Sequence, residues 1–286
     1  MTIHALIDAD WVVYAAGFAS QKTTHVCPTE FGAQEFANRT ELAKAFAQKY
    51  SKDHLVSATY SRIEVDEESH VFHSAKRMLE GTIAKIEAKF DDEVVKPHVL
   101  MDGDGNFRMK LATIRPYKGH RGAKPVMYQK IRQYLTDNWD AELVHDQETD
   151  DEMALRQSCA NAVGGTFGKG TDKTIIVSID KDMLQVPGWH MNPNKGFKRV
   201  SEREGLERLY VQCLTGDTCD NIAGCKGVGP KKAREIITSE MDERAMWDAV
   251  VTAYVASGSN ATAALENMRL VYLRRTPGEL WAPPEA

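Results

Sequence analysis

The sequence predicts an α/β protein built on a mostly parallel central sheet flanked by helices, followed by a helical C-terminal region. Three observations carry that expectation. Short apolar runs alternate with helical stretches up to about residue 200. Several of those runs end in an aspartate. Beyond about residue 200 the apolar period is helical throughout.

Ile3 to Ile7 reads as a buried strand ending in Asp8-Ala9-Asp10, and a helix follows from Trp11 to about Phe18. Residues 20 to 40 show no clear period and read as an ordered loop or an insertion. Glu41 to Tyr50 reads as a helix. Glu68 to Phe90 carries Val71, Ala75, Met78, Ile83, Ile86 and Phe90 on one face, the mark of a long amphipathic helix. His98 to Met101 is a strand ending in Asp102. A helix from Pro125 to Asn138 leads to a strand from Ala141 to His145, and a helix runs from Glu148 to about Ala162. Gly164, Gly165, Gly168 and Gly170 mark a loop. Thr174 to Ile179 is a β-branched run ending in Asp180. Helices follow at Glu204 to Leu214, Pro230 to Thr238, Arg244 to Ala256 and Ala261 to Leu273.

Composition narrows the class. Of 286 residues, 42% are hydrophobic and 27% charged, as in an ordinary soluble globular chain. There is no run of eighteen apolar residues and no secretory leader pattern, so a membrane span is not expected. The five cysteines form no C-x-x-C pair, which points to reduced thiols, a cytoplasmic location and no zinc site.

The net charge of −5 hides a segregated distribution. Gly105 to Thr136 contains no acid but holds Arg108, Lys110, Arg115, Lys118, Arg121, Lys124, Lys130 and Arg132. Such a run is either a solvated basic face or a surface for phosphates. The acids gather elsewhere: Asp8 with Asp10; Asp102 with Asp104; Glu148, Asp150 and Asp151; Asp180 with Asp182; Asp217 with Asp220. Parallel sheets place ligands at the carboxyl ends of their strands. Acids converging there need compensation, which a hard divalent cation supplies. Two ions about 4 Å apart can clamp both oxygens of a phosphodiester displacement. A lone acid after a strand is more often a cap or turn residue, and Asp10 and Asp104 fit that blander role.

The same acids sit in motifs. The stretches LIDADWVVYAA, VLMDGDGNFRMKLATIRPYKGHR, QETDDEMA, VSIDKDMLQ and LTGDTCDNIAGCKGVGPKKA follow one another in that order. Together they resemble the 5′-nuclease family, which includes flap endonucleases, the 5′-nuclease domains of bacterial DNA polymerases and bacteriophage 5′→3′ exonucleases. The resemblance implies a PIN-like catalytic domain over residues 1–200, with a basic arch or gateway near 105–136. It implies a C-terminal DNA-binding region over 201–286, with a helix–three-turn–helix motif near 214–238. It places metal ligands at Asp8, Asp102, Glu148, Asp150, Asp151, Asp180, Asp182, Asp217 and Asp220. Lys118 and Arg121 become the catalytic cations, and Arg108, Tyr117, Gly227, Gly229, Lys231 and Lys232 the DNA contacts. Mg²⁺ is the implied cofactor, two ions or more with Mn²⁺ as a substitute, and K⁺ is expected at the helix–three-turn–helix. The expected partner is duplex DNA with a 5′ end, nick or flap, or an RNA–DNA hybrid. The chain departs from the family pattern at Gln147, Thr149 and His120, none of them an implied ligand.

Three other readings compete. Asp8-Ala9-Asp10 also fits a phosphatase of the haloacid-dehalogenase type. A PIN-class ribonuclease has similar acids, and a DNA-structure binder without catalysis needs only the basic elements. The acid-free run and the glycine–lysine turn argue against the first. The full acid set argues against the last, because carboxylates near phosphate weaken simple binding.

Overall fold

The computed structural model describes residues 2–29, 32–46, 60–91, 93–119, 122–161 and 173–285. Among them, a six-stranded sheet is built from β1 (Thr2–Asp8), β5 (Val94–Asp102), β6 (Glu142–Val144), β7 (Lys173–Val177), β8 (Gly188–Asn192) and β9 (Gly196–Val200). Its order is β6-β5-β1-β7-β8-β9, parallel except for the β8–β9 hairpin at one edge. Ile3, Leu6, Ile7, Ile175, Ile176 and Val177 are fully buried or nearly so, which explains why these strands read as continuous apolar runs. Pro97 lies where β5 has only β1 beside it, since β6 joins at Leu100, so no ladder bond is lost to the missing amide.

Register brings the strand ends level. Ile7 pairs with Val99 on one side and with Val177 on the other. Met101 pairs with Leu143, and Asp102 with Val144. Asp8, Asp102 and the residues just after Val144 and Val177 therefore leave the sheet at one edge.

The helices α1 (Asp10–Ala19), α2 (Arg39–Phe46), α3 (Glu68–Lys89), α5 (Tyr128–Trp139) and α6 (Thr149–Asn161) follow the sequence reading with small shifts, and a short α4 (Arg108–Leu111) was not foreseen. The C-terminal set is α7 (Glu202–Thr215), α8 (Pro230–Ile236), α9 (Glu243–Ala256) and α10 (Ala261–Val271). Ser201 and Glu204 form a capping box at α7, and Asp242 and Asn260 cap α9 and α10. These helices share a core that includes Leu209, Tyr210, Met246, Trp247, Tyr254 and Trp281.

Two parts differ from the expectation. The described residues between 20 and 36 are mostly strand rather than loop: β2 (Gln21–Thr29) pairs antiparallel with β3 (Gly32–Phe36) and with β4 (Tyr60–Val65). β4 is exposed along its length and, among the described residues, β2 buries only Thr24, Val26 and Cys27, so these largely polar strands carry little apolar alternation and cross-strand pairing rather than periodicity defines them. The β8–β9 hairpin was also not foreseen, although Asn192-Pro-Asn-Lys-Gly196 between two alternating runs is a hairpin signal. The glycine-marked loop at 164–170 and the end of the second helix, 47–50, lie outside the described residues.

The chain groups into two compact units: Met1–Trp11, Glu80–Ala123 and Leu135–Ala286 in the first, and Val12–Leu79 with Lys124–Tyr134 in the second. The six-stranded sheet and the C-terminal helices belong to the first. Among the described residues, no helix is long and apolar enough to cross a membrane.

Candidate metal centre and nucleic-acid interface

Every described acid of interest lies in the first unit. Asp8 ends β1, where its carboxylate accepts from Ser178 Oγ at 3.0 Å and from the Asp10 amide at 3.0 Å. Burial, then the negative charges of Asp10 and Asp102, push its pKa up to about 7. Asp10 Oδ2 accepts from the Asp102 amide at 2.9 Å, so this carboxylate ties the tips of β1 and β5 together. Asp102 Oδ1 accepts from the Thr149 amide at 2.8 Å. A strand-end acid thus caps the first turn of α6, the turn that carries Asp150 and Asp151. Asp104 is exposed on the loop after β5.

Asp150 holds its proton well above the ordinary carboxylate range, because of burial and then the charges of Asp8, Asp180, Glu148 and Asp102. Acids from β1, β5, the approach to α6 and the end of β7 therefore feel one another. A second group follows. Asp182, at the start of a 3₁₀ turn (Asp182–Gln185), is raised to about 8 by burial, a hydrogen bond to Asp217 and the charge of Asp180. Asp217 moves down: burial opposes ionisation, but the bond from Asp182 and the amides of Cys219 and Asp220 outweigh it. The pair shares a proton on Asp182.

Tyr117 and Lys118 join the third acid group. The Tyr117 hydroxyl lies 2.8 Å from Glu148 Oε2 and 2.9 Å from Asp220 Oδ2. One hydroxyl has one hydrogen, so both contacts are hydrogen bonds only when one carboxyl is protonated. Asp220 is the one pushed up, by burial, while Glu148 is held down despite burial by Lys118 and Arg108. Lys118 Nζ is ion-paired with Glu148 and lies 3.7 Å from Asp220 Oδ1. Its backbone has φ of 53°, and its amide bonds the Asp220 carbonyl at 2.9 Å. A left-handed non-glycine residue costs about 1–2 kcal/mol, and that anchored amide holds it there.

Three expected roles change. Arg108 is only 1% exposed; its Nη2 donates to Asp151 Oδ1 at 2.9 Å and to the Tyr272 carbonyl at 2.7 Å, and its Nε donates to the Leu270 carbonyl at 2.8 Å. Its guanidinium is thus spent on protein partners rather than presented at the surface. Tyr117 is buried between two acids and has no open face for a base. Asp151, fully buried, gives both oxygens to Arg108. Elsewhere in the acid-free run, Lys130 pairs with Glu68, and Lys124 lies 4.2 Å from the Tyr128 ring centroid, so part of the run serves the protein itself. Arg121 lies outside the described residues. Sequence reasoning missed Ser178, whose hydroxyl bonds Asp8 and accepts from the Asp180 amide at 3.1 Å; its place at the tip of β7 was the available signal.

The glycine-rich segment follows α7. Gly216 and Gly224, with φ of 68° and 65°, press backbone on backbone: a Cβ on Gly216 would stand 2.4 Å from the Ile222 carbonyl oxygen. Gly227 has φ of 77° and faces open space, Gly229 is the N-cap of α8 with Pro230 after it, and Lys231 and Lys232 are exposed. A cleft of ≈ 640 Å³ opens beside Asp182 and Asp217, and Lys181, Arg208 and Arg234 help line it.

No protein-family model matches the chain. DNA polymerase I of Rhizobium leguminosarum is 33% identical over 100 residues, 32% of this chain and 9% of that protein. Flap endonuclease Xni of Shewanella piezotolerans is 29% identical over 155 residues, 49% of this chain and 58% of that protein. A bacteriophage T5 protein crystallised with metal ions aligns with a TM-score of 0.53 over 95% of this chain and 89% of its own, at 15% identity. This chain is similar to 5′-nucleases, in sequence over about half its length and in fold. The T5 5′-exonuclease with bound zinc has a TM-score of 0.51 at 14% identity, covering 95% of this chain and 89% of its own. At those identities the structures establish the shared fold. The chain spans little more than half of the flap endonuclease that it matches.

The acids are hard oxygen donors gathered at the sheet edge and in the segment after α7, several of them held protonated by burial and then by neighbouring like charges, and that chemistry suits a hard divalent cation such as Mg²⁺. As the side chains stand, no three His, Cys, Asp or Glu among the described residues enclose an ion.

Proposed function

We propose that the chain is a metal-dependent nuclease that hydrolyses phosphodiester bonds near DNA 5′ ends, as a 5′→3′ exonuclease and on 5′ flaps. Mutual repulsion among Asp8, Asp102, Glu148, Asp150 and Asp180 at the carboxyl ends of parallel strands carries the reading. The sequence likeness to a flap endonuclease and the T5 fold support it.

Asp8, Asp102, Glu148, Asp150 and Asp180 would hold one cation, and Asp182, Asp217 and Asp220 would help hold a second. When bound, Mg²⁺ or Mn²⁺ supplies an activated water and neutralises phosphate charge. The chain's own residues do the rest. Ser178 keeps Asp8 turned to the centre, and Asp102 orients α6 through the Thr149 amide. Lys118 stands among the acids and counters charge on the phosphoryl oxygens, with Arg121 assigned to the same task. Water oxygen bonds to phosphorus, the bond to the 3′ oxygen breaks, and the products are a 5′-phosphate and a 3′-hydroxyl. Gly227, Gly229, Lys231 and Lys232 grip duplex backbone, with K⁺ at the turn, and the Arg208–Arg234 cleft gives duplex a path beside Asp182. Asp10, the general acid of the phosphatase reading, spends Oδ2 on the Asp102 amide instead.

The test is cleavage of 5′-labelled blunt duplex, nicked duplex, 5′-flap DNA and RNA–DNA hybrid with and without Mg²⁺. Mg²⁺-dependent release of 5′-phosphorylated products is expected, and Asp150→Asn should abolish it while DNA binding persists. Intact DNA in every lane, or cleavage by Asp150→Asn at the parent rate, overturns the reading.

A further inference from the structure

Arg108 was expected at the phosphate and is found behind the acids. Its bonds point two ways. One arm takes both oxygens of Asp151 in the first turn of α6, and Nη1 also lies 3.5 Å from Glu148 Oε2. The other arm takes the carbonyls of Leu270 and Tyr272, at the end of α10 and just past it. The segment after α10 adds its own ties. The Arg274 amide donates to Asp151 Oδ1 at 3.2 Å, and Arg274 Nη1 donates to Gln147 Oε1 at 3.0 Å. Gln185, which ends the 3₁₀ turn begun by Asp182, donates to the Val271 carbonyl at 2.9 Å and accepts from the Leu273 amide at 3.0 Å. Residues 270–275 are thus fastened to both acid-bearing elements, and Arg108 is the link to α6.

We propose that Arg108 is a positioning residue of the acidic centre: through Asp151 it fixes α6 against the C-terminal segment and so sets Glu148 and Asp150. Asp151 is then the handle of α6, and it does not ligate a cation. The proposal rests on the nuclease reading above. It separates from a merely structural role because buried ion pairs are replaceable: an apolar pair of similar volume often keeps or raises stability. It would not keep the fork that fixes α6.

The experiment compares the parent with Arg108→Lys and with the double variant Arg108→Met, Asp151→Leu. Melting temperature, calorimetric Mn²⁺ binding without DNA, and kcat and KM on a 5′-flap duplex are measured. Ordered supports behind metal ligands are worth about 10–100-fold in affinity or activity. The double variant should therefore melt within a few degrees of the parent, yet bind Mn²⁺ roughly tenfold more weakly and lose about a hundredfold in kcat with little change in KM. Arg108→Lys keeps the charge without the fork and should recover only part of that kcat. If the folded double variant, or Arg108→Lys should the double variant not fold, matches the parent in both Mn²⁺ affinity and kcat, the role of Arg108 is wrong. A parent that neither binds Mn²⁺ nor cuts DNA overturns the nuclease reading itself, and the proposal with it.

Discussion

Asp8 and Asp182 hold their protons up to about pH 7 and about pH 8. An unfolded aspartate has a pKa near 3.8. Both groups are therefore raised on folding, and the stability that they contribute is fully present below the unfolded value. It is lost as pH rises, through about 7 for Asp8 and about 8 for Asp182. The metal-free protein should thus melt at lower temperature at pH 8.5 than at pH 6, and Asp8→Asn should flatten part of that slope. Scanning calorimetry in chelator-treated buffer reads it; a melting temperature that rises over this range contradicts the assignment. Lys118 gives a second residue-scale prediction. Lys118→Ala should slow single-turnover cleavage about a hundredfold or more while DNA affinity changes little, since its ammonium sits among the acids and off the outer surface. Equal losses in binding and cleavage would make it a docking contact instead. These assignments also show where residue-level reading stops. Asp8, Asp102 and Asp180 were legible because each follows an apolar run, and the other acids because they cluster in short acidic motifs. Arg108 and Tyr117 were misplaced because a cation and an aromatic in a basic run look alike whether they face phosphate or seal an acid from behind.

At the scale of elements, the turn between α7 and α8 is the most constrained piece. Gly224 has φ of 65°, and a Cβ there would stand 2.5 Å from the Gly216 nitrogen. Gly224→Ala should cost several kcal/mol by urea denaturation, more than the roughly 1 kcal/mol of an ordinary Gly→Ala change at positive φ, because backbone must move. Gly227→Ala meets open space and should cost only the conformational part. Similar costs at the two sites would show that the backbone contact yields. The exposed start of α8 sets a separate expectation: replacing Lys231 and Lys232 with Ala should lower the salt slope of duplex binding by about 2, without changing kcat. An unchanged slope removes α8 from the interface. The element scale also explains the missed strands. β4 is exposed along its length and, among the described residues, β2 buries only Thr24, Val26 and Cys27, so their sequence carries little apolar rhythm, whereas β1 and β7 are buried on both faces and announce themselves.

For the whole molecule, the net charge of −5 belies an arrangement in which acids meet at one sheet edge and exposed cations line the helices beyond it. A cation that binds only the folded acid cluster stabilises by mass action, by about 2.7 kcal/mol at a hundred times its dissociation constant. Mg²⁺ should therefore raise the melting temperature progressively at pH 8, and Asp150→Asn should blunt that rise. A melting temperature indifferent to Mg²⁺ would mean that the crowded carboxyls are relieved by protons alone.

The sequence alone determined the alternation of strands and helices, the sheet edge where acids gather and the chain segments that supply them. Those follow from local periodicity and from apolar runs that must be buried. Only the tertiary structure decided how each acid is partnered. Asp151 is spent on Arg108, Asp10 on the Asp102 amide, and Asp182 shares its proton with Asp217. Such pairings join residues far apart in the chain, and no local pattern encodes which of two like-charged neighbours finds the buried partner first.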